Sequence, residues 1–582
     1  MMKPINSNQA ILIFLTSSVL ACLGAAMLAG RLFNLLSFPL SRQILIIALL
    51  WFSMGMIFYL TISMWSAHDN GFRAFFAVDL TLNIFVRKAF LAFFLVFPMG
   101  LILYQHISEI IQIWTHGRTT DFTGWSSTGD VRLLLIIVLI IILILIVFIM
   151  SSKSYTGNYL DGLPDKYYVL FILCITLLAR LPSIYLINTQ PTSDFLLIHQ
   201  DAVRISQGIL PTEIYVSTNV AVTMIYGFLY KIFVPELIVV KFFHTMVYGL
   251  SGVFIFYAGK QIFKNKFWAG ICGLLLVSWP SLVLYSNVLT PEHLFILVEC
   301  ALLFAVSLFF KNQKSAHAKG PVDTRGFFMF PLIGFLLGLM GFFRPFSELF
   351  LAAFIVTLFL WNPGLKTVIW NVLGIFTVFI VFWLLNLMPE AVAKSYNSQL
   401  PNIRPCNLLV GLNVESMGLW NMEDYYICRQ IRLQADDQAE YAREVLDVVV
   451  ERLEARQNQL LPFINKKFAI LWQNSTGILL WTIQTEPTEN SVSTIDMVQK
   501  VNVIDFALMF IGTLACLAGT VIAFFKDVKP VIFFGLVAFL GFNLMEIVFE
   551  VQTRYRTVVM PLFILFACWT FSTFYTSINI NP

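Results

Sequence analysis

Apolar runs of about twenty residues, separated by short polar turns, recur along almost the whole chain. LLLIIVLIIILILIVFIM (133–150) and WAGICGLLLVSWPSLVLYSN (268–287) are the plainest. A run of about 20 apolar residues is the length that crosses a bilayer as a helix. Lipid offers the backbone no outside partner, so each run is expected to be helical. The pattern predicts about fourteen spans, at 11–29, 44–65, 89–113, 132–151, 168–187, 236–258, 268–287, 291–310, 326–341, 346–361, 367–388, 503–525, 530–548 and 557–577. The pieces 326–341 and 346–361 barely reach across unless their ends are buried in protein.

Two stretches break the rhythm. Residues 389–502 hold roughly a third of all charged side chains and read as an extracytoplasmic domain. Within it, EYAREVLDVVVERLEARQNQL (440–460) places Ala442, Val445, Leu446, Val449 and Leu453 at helical spacing, with Glu and Arg opposite. Residues 188–235 form a second external region. Its segment YVSTNVAVTMIYGFLYKIF (215–233) is apolar enough to be counted as a span, but counting it would invert the sidedness of the basic loops, so an interfacial helix is expected. The resulting division is an N-terminal four-helix extension (1–155), a transmembrane core (156–388) carrying the loop 188–235, the external domain (389–502) and C-terminal helices (503–582).

Composition agrees: 58% of residues are hydrophobic and 12% charged, against about 25% charged in soluble domains. Net charge of +4 decides nothing; loop asymmetry does. The loops 259–266 and 311–325 are basic, 151–166 adds two lysines, and all three fall on one side, which the positive-inside rule makes cytoplasmic, with both termini inside. Six of the eight cysteines lie in predicted spans, and Cys406 and Cys428 lie in the external domain as either a disulfide or two free thiols. No P-loop, HExxH, CxxC pair or placed GxGxxG occurs, which leaves ATP-driven transport and zinc proteolysis without support. No nucleic-acid partner is expected.

Charges at membrane depth are costly and default to function. On the predicted outer side Asp194 and Asp201 follow the fifth span, Glu292 and His293 open the eighth, Arg344 separates the ninth and tenth, and Glu550, Arg554 and Arg556 precede the last. Taken singly, each is as readily an ion-paired or snorkelling residue at a helix end. Together they suit group transfer from a phosphate-bearing lipid to a hydroxyl. A buried carboxylate acts as base, and arginine forks grip phosphate. No internal loop is long enough for a nucleotide-binding domain, so an activated donor would arrive on a lipid.

From about 166 to 577 the chain resembles the polytopic membrane glycosyltransferases of the GT-C fold, in the bacterial branch similar to protein O-mannosyltransferases and lipid A aminoarabinose transferases. The matching stretches are SDFLLIHQDAVRISQG, with Asp194, Ala202 and Gly208; TNVAVTMIYGFLYKIF, with Asn219; LTPEHLF, with Glu292; FRPF, with Arg344; and EVQTRYR, with Arg554, Tyr555 and Arg556. VGLNVESMGLWNMEDY (410–425), with Trp420, looks like the external loop of Gram-positive members. Many relatives carry Asp-Glu at the first site; here Phe195 follows Asp194, so the second acid is either Asp201 or missing.

The resemblance implies an all-α polytopic GT-C core. Its function would be inverting transfer of a monosaccharide from a polyprenyl-phosphate donor to an envelope glycan, glycolipid or protein, on the outer face of a bacterial cytoplasmic membrane. Asp194, Asp201 and Glu292 are then the expected catalytic acids. Arg344, Arg554 and Arg556 hold the donor phosphate, and His293, Tyr555, Asn219 and Trp420 contact acceptor or substrate. If a metal binds, hard oxygen ligands favour Mg²⁺ or Ca²⁺. Trp420 and Trp472 are candidates for stacking on sugars, with core packing or interfacial anchoring as the alternative. The rival functions are a flippase for lipid-linked glycans, which would show inverted repeats and broken helices, and an envelope glycan ligase or polymerase.

Overall fold

The computed structural model describes residues 87–88, 98–108, 110, 161–209, 217–263, 265–317, 324–361, 365–387, 404–473, 475–483, 491–525 and 528–578. The expected spans 11–29, 44–65 and 132–151 lie outside these residues, and of 89–113 the described part, 98–108 and 110, is helical. Two compact units divide the chain. One is 85–453 with 459–582, and the other, 1–84 with 454–458, has only its last five residues described. The larger unit is the subject below.

Its described elements are all helices. They are α1 (Asp165–Leu186), α2 (Ser193–Ser206), α3 (Ser217–Ile232), α4 (Leu237–Ile262), α5 (Lys266–Ser278), α6 (Pro280–Tyr285), α7 (Glu292–His317), α8 (Thr324–Phe343), α9 (Ser347–Trp361) and α10 (Leu365–Asn386). The external segment supplies α11 (Arg404–Gly411), α12 (Met422–Gln434), α13 (Gln438–Ala455), α14 (Leu460–Trp472) and α15 (Thr476–Thr482). The chain returns through α16 (Ser491–Phe525), α17 (Pro530–Val548), a 3₁₀ turn (Thr553–Val559) and α18 (Met560–Ile578). Among the described residues six segments are long and apolar enough to span: Asp165–Leu186, Leu237–Ile262, Glu292–Gln313, Lys500–Ala523, Pro530–Val548 and Thr553–Phe574. The protein is therefore an all-α, multi-pass membrane protein.

Close packing of small residues joins the core helices. A Cβ on Gly273 of α5 would come within 2.8 Å of the Gly252 carbonyl of α4, so the two backbones touch where any side chain would part them. The apolar run 268–287, expected as one span, is broken instead. Pro280 follows Trp279, has no N–H, and ends α5 to start α6. Both new ends are capped by charges from other helices. Arg180 of α1 donates to the Val277 carbonyl, and the Ser281 N–H donates to Asp505 of α16 at 3.0 Å. A cation at the helix C-terminus and an anion at the next N-terminus are the favourable order for the helix dipoles.

Within the expected segment 215–233, residues 217–232 form α3, too short to be counted among the spanning helices, which packs along α2. The external helices have their own small core of Leu409, Cys428, Tyr441, Val445 and Val449, and Cys406 and Cys428 are disulfide-bonded across it. Under the chain-entropy model a loop of this size stabilises by about 3 kcal/mol. Asp424, fully buried, is satisfied on every side: Asn413 and Asn421 donate at 2.9 and 2.7 Å and Arg452 at 2.6 Å. From the N-terminal extension, Gln105 donates to the Asn465 side chain and carbonyl at 2.5 and 3.1 Å, so this part docks on α14.

Candidate functional site

One end of the bundle gathers the starts of α2, α7 and α18 with the ends of α8 and α17. Arg344 closes α8 because Pro345 follows and disfavours a helical residue before it. Its Nη2 donates to Glu292 Oε1 at 2.5 Å, at the first position of α7. Glu292 is 0% exposed, yet its Oε2 has no hydrogen-bond partner, nor does Arg344 Nε. The pair is thus made through one atom on each side and leaves polar capacity unspent.

Arg554 stands beside it in an aromatic surround. Its guanidinium lies 5.3 Å from the Phe195 ring, 5.3 Å from Trp481 and 5.5 Å from Tyr555, while Arg344 lies 5.6 Å from Tyr555 on the other side. Aromatic faces attract a cation without consuming its N–H donors. Arg554 Nε accordingly has no partner though the residue is buried. Phe195, which stands where relatives in the resemblance carry a second acid, is one wall of this surround.

Glu550 precedes the turn and is 8% exposed. Burial pushes its carboxyl above the usual range and Asp194 adds to that; a hydrogen bond from Gln552 and the charges of Arg554 and Arg344 oppose it. That interaction places Asp194 within electrostatic range of the cluster. Asp194 sits exposed in the first turn of α2, after Ser193 at φ +52°. Asp201 lies two turns along and pairs with exposed Arg204 at 3.7 Å. Burial raises its carboxyl too, with Arg204 opposing.

Three expected site residues are committed elsewhere. Arg556, expected on phosphate, turns away from Arg554 into α14 and α16. It donates to Asp505 Oδ2 at 3.2 Å, to Ser475 Oγ and to the Leu471 carbonyl at 3.2 Å, and it is 1% exposed. Two residues apart on a 3₁₀ turn point about 120° apart, so RYR cannot deliver both arginines to one face. His293, expected on acceptor, is 0% exposed with both ring nitrogens engaged, by the Tyr248 hydroxyl at 3.1 Å and the Val288 carbonyl at 3.0 Å. It stacks 4.3 Å from His244, which bonds Ser286 and Tyr226, so the pair clips the 286–293 turn. Trp472 is buried and donates to Asn543 at 2.8 Å, a core residue. Asn219 is half-buried in α3, Tyr555 is half-buried between the two arginines, and Trp420 is exposed on the external domain. Among the described residues no three His, Cys, Asp or Glu side chains group as a metal site.

Lys467, which the sequence pattern does not single out, holds residues 547–549, the end of α17, in place. Its ammonium donates to the carbonyls of Gly411, Ile547 and Phe549 at 2.7, 2.9 and 2.6 Å, one acceptor for each of its three protons. Burial draws the amine down to about 7, with Glu546 and Glu550 opposing. Beside it Gly411 meets the backbone just after α17 directly: a Cβ there would lie 2.2 Å from the Phe549 carbonyl carbon. The Glu550 N–H donates to the Asn407 carbonyl at 3.1 Å and the Val551 N–H to Gly418 at 2.9 Å, so the external domain grips residues 547–551 continuously.

No protein-family model matches the chain, and no curated protein matches it. Among solved structures it is similar to the archaeal oligosaccharyltransferase AglB from Archaeoglobus fulgidus, in complex with an inhibitory peptide and a dolichol-phosphate. That likeness is at 12% identity and a TM-score of 0.43, over 73% of this chain and 52% of that one. A second structure, an Archaeoglobus fulgidus oligosaccharyltransferase tethered to an acceptor peptide, matches at 11% identity and a TM-score of 0.28, over 72% of this chain and 56% of that one. The chain thus spans about half the length of each. Likenesses of this size carry no correspondence of residues or of function.

Proposed function

We propose that the protein is a membrane glycosyltransferase of GT-C type that moves a monosaccharide from a polyprenyl-phosphate donor to a hydroxyl of an envelope glycan, glycolipid or protein. The observation that carries this reading is Arg554: a buried guanidinium walled by three aromatic rings, its Nε unpartnered, beside an Arg344–Glu292 pair that also holds free polar atoms. Such a group waits for an anion with a desolvated, directional charge, and a lipid phosphate at a membrane face has that chemistry.

In the reaction Asp194, open at the start of α2, takes the proton from the acceptor hydroxyl. The oxygen attacks the anomeric carbon as that centre gains oxocarbenium character. The carbon–oxygen bond to phosphate breaks, and the electron pair leaves with the polyprenyl phosphate. Arg554 and Arg344 meet the growing charge on the departing phosphate, and Glu292 Oε2 accepts a hydrogen bond from a sugar hydroxyl. The outer face of a bacterial cytoplasmic membrane is the setting that the basic loops support.

The test is transfer of radiolabelled sugar from a panel of polyprenyl-phosphate monosaccharides by membranes carrying wild type or Asp194→Asn. Transfer with wild type, falling about 10²–10⁴-fold in the variant, is expected. Full transfer by Asp194→Asn at normal abundance would remove the aspartate from the mechanism. Label moving only from lipid-linked oligosaccharides would favour a ligase or polymerase.

The flippase reading draws on one observation, the helix break at Trp279–Pro280. There Arg180 caps one end and Asp505 the other, and Asp505 is itself held by Ser475 and Arg556, so these charges serve the helix ends, while Arg180 Nε and Nη2 and Trp279 Nε1 have no partner.

A further inference from the structure

The short helix α15 of the external segment has seven residues, too few to hold a helix by itself. Other parts of the chain fix it at three points. At its start the Ser475 N–H donates to Asn502 at 2.9 Å and Ser475 Oγ donates to Asp505, the partner of Arg556. Near its middle Gly477 lies against Thr553, where a Cβ would stand 2.7 Å from Thr553 Oγ1, and that hydroxyl donates to the Ile470 carbonyl at 3.0 Å. At its end Thr189 Oγ1 donates to the Thr482 carbonyl at 2.6 Å, and Lys241 of α4 donates to the Thr189 carbonyl at 3.2 Å. Leu479 packs with Ile187 and Leu284. The helix thus touches both the residue before Arg554 and the segment that leads into α2.

What this anchoring delivers is Trp481. Its ring lies 5.3 Å from the Arg554 guanidinium and meets Phe195 edge-on, at 5.1 Å and 81°. Phe195 lies 5.3 Å from the same guanidinium and follows Asp194 in α2. Tyr555, the third ring, is the chain neighbour of Arg554 and travels with it, so Phe195 and Trp481 supply the walls that other elements fix. An arginine side chain is rich in rotamers, and no bond to Nε settles this one; ring faces hold it instead. Trp offers a cation the strongest face of the aromatic residues. A ring that served packing alone could be exchanged for an aliphatic side chain, whereas one that holds a cation could not, because the attraction comes from the negative π face.

We propose that Trp481 is a positioning residue of the transfer reaction, which keeps the Arg554 guanidinium turned to the donor phosphate and holds Phe195, and with it the start of α2, against the same wall. The inference rests on the transferase reading. Trp481 acts through Arg554: it leaves the guanidinium N–H groups unspent for the phosphate and limits the directions they can take. The external segment, through α15, then reaches the donor site itself, beside the residue that follows Asp194.

The experiment uses full-length protein in phosphatidylcholine nanodiscs. Transfer kinetics with polyprenyl-phosphate donors are compared for wild type, Trp481→Phe and Trp481→Leu, together with calorimetric binding of citronellyl phosphate, a short isoprenoid phosphate that carries no sugar. Trp481→Leu should unfold near the wild-type temperature, lose about tenfold in donor kcat/KM and in citronellyl phosphate affinity, and keep its acceptor KM, while Trp481→Phe stays within about threefold of wild type. In an Arg554→Gln background the leucine change should cost less than about twofold more, since the ring then has no cation to hold. Should Trp481→Leu lose folded protein, ring-fluorinated tryptophans introduced at position 481 keep the shape while draining the π face, and donor kcat/KM should fall with each added fluorine. Unchanged donor kcat/KM in Trp481→Leu, a full further loss in the Arg554→Gln background, or indifference to fluorination overturns the proposal and leaves the transferase standing. Binding of citronellyl phosphate that depends on Trp481, without transfer from any lipid donor, retires the transferase and keeps Trp481 as the holder of an anion-binding arginine.

Discussion

Two buried arginine–carboxylate pairs, Arg556–Asp505 and Arg344–Glu292, are built from the same chemistry and are finished differently. In the first, both carboxylate oxygens are taken: Oδ1 by Ser281 N–H, Oδ2 by Ser475 and Arg556. In the second, one carboxylate oxygen and one guanidinium nitrogen have no partner, and Arg554 beside it repeats the omission. A closed network in low dielectric rigidifies the fold. An incomplete one costs stability, and such a cost persists where a ligand completes it. Charge at membrane depth and a buried carboxylate are shared by both pairs; what separates them is the half-buried Arg344 and the count of unsatisfied atoms.

The largest expected effect comes from opening the closed pair. Arg556→Met leaves the buried Asp505 charged with no cationic partner beneath the helix break, a loss of about 3–5 kcal/mol. Fluorescence-detected size-exclusion should show little folded protein, whereas Arg556→Met with Asp505→Leu recovers most of it. Next, Arg554→Gln should keep thermal unfolding near that of wild type while kcat/KM for transfer falls about 10²–10³-fold. If instead it lost folded protein as Arg556→Met does, the distinction between the two pairs would collapse.

Lys467→Met, which orphans three carbonyls, should cost about 1–3 kcal/mol and lower activity by loosening the loop that bears Glu550. A pH signature separates it from general damage. With its folded value drawn to about 7 from 10.5, the lysine has shed a proton when folded that it keeps when unfolded, so stability rises with pH across that window. The advantage of wild type over Lys467→Met in thermal unfolding should therefore be larger at pH 9 than at pH 6. The smallest effect belongs to Asp201→Asn. Its partner Arg204 faces solvent, and surface pairs contribute about 0–1 kcal/mol, so transfer should change less than about twofold.

Spans were legible because a bilayer imposes a length and an apolar composition that the chain must display. Pro280 advertised the break in 268–287, but a proline in an apolar run is compatible with a kink or a stop, and only the caps from Arg180 and Asp505 decide it. Asp505 itself was visible as an acid inside a predicted span. Arg554 and Arg556 were indistinguishable in RYR because the 3₁₀ turn, not residue type, sends them to opposite walls. Phe195 and Trp481 carried no signal, since an aromatic is unremarkable in a chain with 57 phenylalanines. Lys467 looked like any lysine of a polar segment until the three carbonyls around it were placed by distant parts of the chain.

The contact of Gly411 against Phe549, with Lys467 clasping both, bears on how the protein can be recombined. A chimera exchanging residues 404–483 alone would set a foreign surface against native residues 547–551, where no spare volume exists. Carrying 545–556 along with the domain would move the seam, and with it the turn bearing Arg554, as a matched unit, leaving the remaining spans as a reusable chassis.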